Sequence, residues 1–203
     1  MKNLLLLLLM GISCLAVLIG CQSPPATATI PARVEKVLSG QLIEVTLLNQ
    51  QPPVRRQVRL QGIDAPDRQQ APWGKNSLER LTALIEQDNP QKLVQLEPQE
   101  LKPDQFERVV APVWQNRVLL NLALVQEGYA LAQLPKEIEE PIINKHQTEL
   151  LRAQDQARVL GIGIWDPTQP LRLAPIEFRR YQQNSQPTSQ KVLPKIPQKV
   201  PQK

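Results

Sequence analysis

Residues able to bind anions and to handle protons stand close together in residues 58–67. Arg59 lies in an alternating apolar and polar pattern, and Asp64 and Asp67 flank Ala65-Pro66 just after it. A guanidinium donates charge-assisted hydrogen bonds in a rigid fork, and a carboxylate can bind a cation or orient water. By itself, this stretch fits equally well a plain strand that ends in a turn rich in turn-forming residues.

Four more motifs follow in chain order, and with the first they resemble the staphylococcal-nuclease family. The family's strand-turn signature, Arg-x-x-Gly-Ile-Asp-x-Pro-Glu, is similar to Arg59 to Asp67. Its aromatic-Gly step, its Asp-x-Tyr-Gly-Arg loop, its Asn-x-x-Leu-Val-x-x-Gly-x-Ala helix and its Gly-Ile/Leu-Trp ending are similar to Trp73-Gly74, Asp104 to Arg108, Asn121 to Ala130 and Gly161 to Trp165. The resemblance covers residues 32–166.

This resemblance implies an α+β, mainly β fold: a five-stranded OB-fold Greek-key barrel with about three helices. It implies calcium-dependent hydrolysis of phosphodiesters in DNA and RNA. Arg59, Arg108 and Asp67 match the family's catalytic positions. The metal ligands would be Asp64, the carbonyl of Ala65, and Gln41.

The chain departs from the family pattern mainly around the metal. The family's Asp-Gly-Asp-Thr turn reads Ser39 to Leu42 here, so the neutral Gln41 replaces a carboxylate. Calcium affinity depends on ligand charge, so calcium should bind weakly or not at all. Asp67 is one methylene shorter than the family's Glu, Phe106 lacks the hydroxyl of its Tyr, and Glu107 replaces a Gly beside Arg108, with which it is expected to pair.

The surrounding elements are predicted from hydrophobic periodicity. Residues 34–47 predict two strands joined by a turn, and residues 54–63 predict a third strand. A fourth strand is predicted near residues 93–96 and a fifth at 109–114. Helical spacing predicts helices over 74–87, 119–128 and 144–160. Short strands with helices between and after them favour a small covered barrel.

Cysteine and histidine usage excludes several classes of site. The chain has two cysteines, Cys14 and Cys21, and both lie in or beside the N-terminal apolar run. A disulfide framework, a cysteine-based zinc site and a catalytic cysteine are therefore not expected in the folded body. The single histidine, His146, stands in a polar helix-like stretch and is expected at the solvated surface.

The two ends of the chain predict export and attachment. Residues 1–20 are typical of a signal peptide, and Leu18 to Cys21 resembles the lipobox of bacterial lipoproteins, which implies a lipid on Cys21. Residues 21–31 would then form a tether, and the folded domain would span 32–180. Repeated proline predicts a disordered tail over 181–203, with lysines able to contact anionic polymers. The expected location is the cell envelope, on the outer membrane if the cell has two.

Three functions remain open for this chain. The first is a slow calcium-dependent nuclease at the envelope, and the second is a catalytically inactive module of the same fold that binds nucleic acid or protein. The third is a structural lipoprotein. The net charge of +5 favours polyanion contact without separating the first two. The expected partners are nucleic acid and, through the lipid, a membrane, and the protein is expected to be a monomer.

Overall fold

The computed structural model describes residues 29–97, 103–133 and 146–185. Within these ranges there are nine strands, four α-helices and one 3-10 turn. The strands are β1 Ile30–Ser39, β2 Leu42–Leu47, β3 Val54–Leu60, β4 Ile63–Asp64, β5 Leu93–Leu96, β6 Val109–Ala111, β7 Val113–Gln115, β8 Val118–Leu119 and β9 Leu131–Ala132. The α-helices are α1 Trp73–Glu86, α2 Leu120–Gln126, α3 Gln147–Leu160 and α4 Pro175–Ser185, and the 3-10 turn is Gly163–Trp165.

The main sheet contains seven of these strands in the order β6-β3-β2-β1-β5-β7-β8. The neighbours pair antiparallel, except that β3 and β6 run parallel. Strand alternation places every second side chain on one face. In β2, Ile43, Val45 and Leu47 are buried, and in β3 Val58 and Leu60 are fully buried. These residues form one core with apolar side chains of α1, α2 and α3.

The predicted fold is confirmed in its coarser part, a mainly β domain with helices. The main sheet has seven strands rather than five, the described residues form four α-helices rather than about three, and the hydrogen-bonded ladders do not close into a barrel. Pro112 explains part of the difference, because proline has no N–H to donate and divides the predicted fifth strand into β6 and β7. β6 pairs with β3, while β7 pairs with β5.

Among the described helices, α4 is the one that periodicity did not predict, and it extends to Ser185, past the predicted domain boundary at residue 180. The segment before it is held to the N-terminal end of α1. Gln70 Nε2 donates to the carbonyl oxygen of Leu173 at 2.9 Å, and Trp73 Nε1 donates to that of Gln169 at 3.0 Å. These bonds fix where α4 begins.

The predicted signal peptide, the lipidation residue Cys21, most of the tether and most of the tail lie outside the described residues. Among the helices of residues 29–97, 103–133 and 146–185, none combines the length and the apolar character needed to cross a bilayer.

Candidate active site

Arg59 is held rigidly on the face of β3 opposite the core. Its neighbours Val58 and Leu60 point inward, so strand alternation directs Arg59 outward. Its Nη1 donates to the carbonyl oxygen of Leu60 at 3.2 Å, and its Nη2 donates to that of Ile63 at 3.2 Å and to Gln133 Oε1 at 3.4 Å. The guanidinium is therefore positioned before any ligand arrives.

The pKa of Arg59 depends on its burial and on the charged side chains around it. Burial lowers the pKa of this guanidinium below its usual value, and the charge of Asp64 opposes that effect. The positive charges of Arg108 and Arg179 lower the pKa further. Arg108 and Arg179 thus each lie close enough to repel Arg59, and a bound anion would relieve that repulsion.

The pairing of β3 with β6 places Arg108 on the same face as Arg59. Arg59 is opposite Val110 in the parallel register, and Arg108 lies two residues before Val110. Val109 and Ala111 are buried, so the alternation of this segment directs Arg108 and Val110 away from the core. The sheet therefore brings together two arginines that are far apart in the sequence.

The guanidinium of Arg108 is held by Asp104 rather than by Glu107. Its Nε and Nη2 donate to Asp104 Oδ2 at 2.9 and 2.6 Å, and its Cζ lies 4.7 Å from the centre of the Phe106 ring. Burial would raise the pKa of Asp104, but bonds from Arg108 and from the backbone N–H groups of Arg108 and Phe106 lower it overall. The expected pairing of Glu107 with Arg108 is wrong, because the loop supplies a better placed carboxylate.

The backbone explains why the related family has a glycine at position 107. Glu107 has a φ of 59°, in the left-handed region that side chains with a Cβ adopt only at a cost. Four bonds hold the loop in this shape. The N–H of Glu107 donates to the carbonyl oxygen of Asp104, and the N–H of Asp104 donates to that of Arg108. The N–H groups of Phe106 and Arg108 both donate to Asp104 Oδ1.

Glu107→Gly is therefore expected to raise the free energy of unfolding by about 1 kcal/mol and the melting temperature by roughly 2–4 °C. Circular-dichroism melting would measure both. Glu107→Ala is the matched control, since it removes the same carboxylate but keeps the Cβ. An equal gain in the two variants would show that charge, and not backbone strain, sets the effect.

Asp64 is a buried carboxylate whose two oxygens bond to an arginine of α4. It is 7% exposed, and Arg179 Nη2 donates to its Oδ1 at 2.8 Å and to its Oδ2 at 2.9 Å. Beside it, the N–H of Ala65 donates to Gln41 Oε1 at 2.8 Å. The three residues predicted as metal ligands are thus brought together, but the side-chain oxygens of Asp64 and Gln41 accept hydrogen bonds from protein donors.

Asp67 opens onto a cleft of about 720 Å³ that Gln41, Arg68 and Arg179 also line. Its Oδ1 accepts a bond from the N–H of Gln69 at 3.1 Å, and its own N–H donates to Gln70 Oε1 at 2.8 Å. The half-buried carboxylate is therefore accessible from solvent at the edge of the site.

The groups around Asp64 do not fit the coordination of a calcium ion. Calcium takes about six to eight oxygen ligands, whereas both oxygens of Asp64 face a guanidinium, and a guanidinium repels a cation. Among residues 29–97, 103–133 and 146–185, no group of three or more histidine, cysteine or acidic side chains is arranged to hold a metal ion.

Two residues were missed or misjudged from the sequence. Arg179 was not singled out, and only the charged pair Arg179-Arg180 on a short helical stretch could have drawn attention to it. The expectation that His146 is solvated is wrong. The residue is 6% exposed, and its ring lies 3.5 Å from a carboxylate oxygen of Glu97 and 3.4 Å from one of Glu149.

Comparison with known proteins adds two similarities. The model of the family described as "Staphylococcal nuclease homologue" matches residues 57–167, more than half of the chain. A protein of Haemophilus influenzae described as an "Uncharacterized endonuclease" is 33% identical over 123 residues, which are 61% of this chain. The chain spans 60% of the length of that relative. The family match includes Arg59, Asp67 and Arg108 but neither Gln41 nor Arg179.

Proposed function

Because the chain belongs to the family of staphylococcal nuclease homologues, we propose that it hydrolyses phosphodiester bonds of DNA or RNA. The observation that carries this proposal is the presence of Arg59 and Arg108 on one face of the sheet, next to the Asp64–Asp67 turn. A phosphodiester carries its negative charge on two non-bridging oxygens, and rigid guanidinium groups match that geometry.

The two arginines would act mainly by stabilising charge. When a water oxygen attacks phosphorus, the bond to the leaving oxygen breaks and negative charge grows on the non-bridging oxygens. Arg59 is already held by two backbone carbonyls, so it loses little freedom when it binds this charge. Nη1 of Arg108 has no partner among the described residues and is free to donate. Asp67 would orient the water and accept its proton, while a solvent water molecule protonates the leaving oxygen.

Calcium enters this proposal only as a condition to be tested. The family resemblance implies calcium, with Asp64, Ala65 and Gln41 as its ligands, but the oxygen atoms available at these residues do not complete the coordination shell of a calcium ion. The chemistry described above uses the cationic arginines and Asp67 alone.

The proposal extends to location and partners. Nucleic acid is the proposed substrate, supported by the cationic site and a net charge of +5. Attachment to the cell envelope through a lipid on Cys21 is supported by the sequence Leu18 to Cys21. The proposal also includes that the protein is a monomer and that its lysine-rich tail contacts anionic polymers.

The alternative is a catalytically inactive module that binds nucleic acid. One observation favours it: Asp104 occupies the Nε–Nη2 edge of Arg108, so only the Nη1–Nη2 edge is left to donate to a phosphate. Binding by these remaining donors would survive where catalysis fails.

A cleavage assay separates the two functions. The purified protein would be incubated with end-labelled single-stranded DNA or RNA, once with calcium chloride and once with EDTA, and the products resolved on a gel. Shortened products in either condition support the nuclease. A retarded band with an intact strand supports the binding module, and an unchanged strand without retardation contradicts both.

A further inference from the structure

Arg179 places a protein cation where the related family is expected to use a metal ion. The residue lies on α4, outside the segment that matches the family. Its Nη2 bonds to both oxygens of Asp64, and its side chain is 32% exposed, compared with 10% for that of Asp64. The pair is therefore buried on the carboxylate side and open on the guanidinium side.

The open side of Arg179 faces the cleft beside Asp67. Nη2 supplies both bonds to Asp64, and the Nη1 and Nε groups have no hydrogen-bond partner among the described residues. Arg179 lines the cleft together with Asp67 and Arg68. Its positive charge also lowers the pKa of Arg59, so the two guanidinium groups lie close enough to interact electrostatically.

We propose that Arg179 is a nucleic-acid phosphate-binding residue that replaces the divalent cation, so that the site binds a phosphodiester without calcium. This inference rests on the proposed function and names the group that completes its site. The metal ion that the resemblance implies would be held by Asp64 and would supply positive charge for a phosphate. Arg179 supplies that charge by bridging the two groups with hydrogen bonds, Nη2 to the carboxylate and Nη1 or Nε to the phosphate.

The position of α4 makes this bridge a built feature. The segment before α4 is fixed by the bonds of Gln70 and Trp73, residues that immediately follow the Asp64–Asp67 turn. Residues 64–73 therefore supply Asp64, Asp67 and the anchors of the segment that leads into the helix carrying Arg179.

The test measures binding rather than cleavage. A labelled phosphorothioate single-stranded oligonucleotide, chosen to resist cleavage, is titrated with the full-length protein, and fluorescence anisotropy is read in EDTA and in calcium chloride over a range of salt. The wild-type dissociation constant should agree between the two conditions within about 2-fold. Arg179→Gln should weaken binding in EDTA about 10-fold and reduce the salt slope by about 0.7, the value for one phosphate contact to a single strand.

Arg180→Gln is the matched control, because it removes the same charge from the next, exposed residue of α4. It should change the dissociation constant by less than about 2-fold. Circular-dichroism melting guards against an Arg179→Gln variant that merely unfolds. The variant should remain folded at the assay temperature, and a folded variant that binds as tightly as the wild type in EDTA overturns the assignment.

Binding that requires calcium, or binding unaffected by Arg179→Gln, overturns the assignment of Arg179 even if the protein cuts nucleic acid. Calcium-independent binding that depends on Arg179 supports the assignment, even if cleavage is absent in every condition and the proposed hydrolysis fails.

Discussion

Arg59→Lys is expected to reduce the rate of nucleic-acid cleavage by about 10²- to 10³-fold while leaving the domain folded. Lysine keeps a positive charge but has no planar fork, so it cannot bond to the carbonyl oxygens of Leu60 and Ile63 while presenting further donors to a phosphate. Burial and the neighbouring charges of Arg108 and Arg179 already lower the pKa of Arg59. The same surroundings would lower the pKa of a lysine ammonium at this position as well.

Single-turnover rates on labelled single-stranded DNA would measure this loss, with circular-dichroism melting as the check on folding. Arg55→Lys is the matched control, since Arg55 lies on the same strand with a side chain that is 73% exposed. Its rate should stay within about 2-fold of the wild type. If both lysine variants cleave at the wild-type rate, Arg59 does not bind the reacting phosphate.

Gly74→Ala is expected to lower the free energy of unfolding by about 3 kcal/mol and the melting temperature by roughly 6–12 °C. A Cβ at position 74 would lie 2.0 Å from the carbonyl oxygen of Asp67 and 2.8 Å from the Cα of Arg68. Both are backbone atoms and cannot rotate away, so the turn must move relative to α1. Because Asp67 belongs to this turn, cleavage should fall as well, even below the melting temperature.

Chemical denaturation would measure the change, and Lys75→Ala serves as the control one residue further along α1. Lys75 is exposed and pairs with Glu79 at 3.4 Å, so its replacement should cost less than about 0.5 kcal/mol. Equal stability of the Gly74→Ala variant and the wild type would mean that the turn is not packed against the helix as described.

Local patterns predicted much of the frame of the site. The alternation of Val58, Arg59 and Leu60 indicates a strand with one face buried, and the structure has β3 there. The Trp73-Gly74 step indicated the start of a helix, and α1 begins at Trp73. These predictions succeed because hydrophobic periodicity, and the glycine that a close backbone approach requires, can both be read from residues that are near one another in the sequence.

The family resemblance was also readable in the sequence, since its motifs are short and keep their order. Pro112 is also visible in the sequence within the predicted fifth strand, but the strands with which the two halves pair are not. One half of that segment bonds to β3 and the other half to β5, and pairing between distant strands is not written in the local pattern.

The partners of the charged groups depended on tertiary structure. Glu107 adjoins Arg108 in the chain, yet its left-handed backbone is part of a loop that gives the guanidinium to Asp104. Asp64 and Arg179 are 115 residues apart, and the segment before α4, anchored to Gln70 and Trp73, brings them into contact. Residue types set which interactions are chemically available, whereas the folded chain selects among them by distance and burial. As a result, the buried carboxylate of Asp64 faces the guanidinium of Arg179 and not a set of further oxygen ligands that could complete a calcium site.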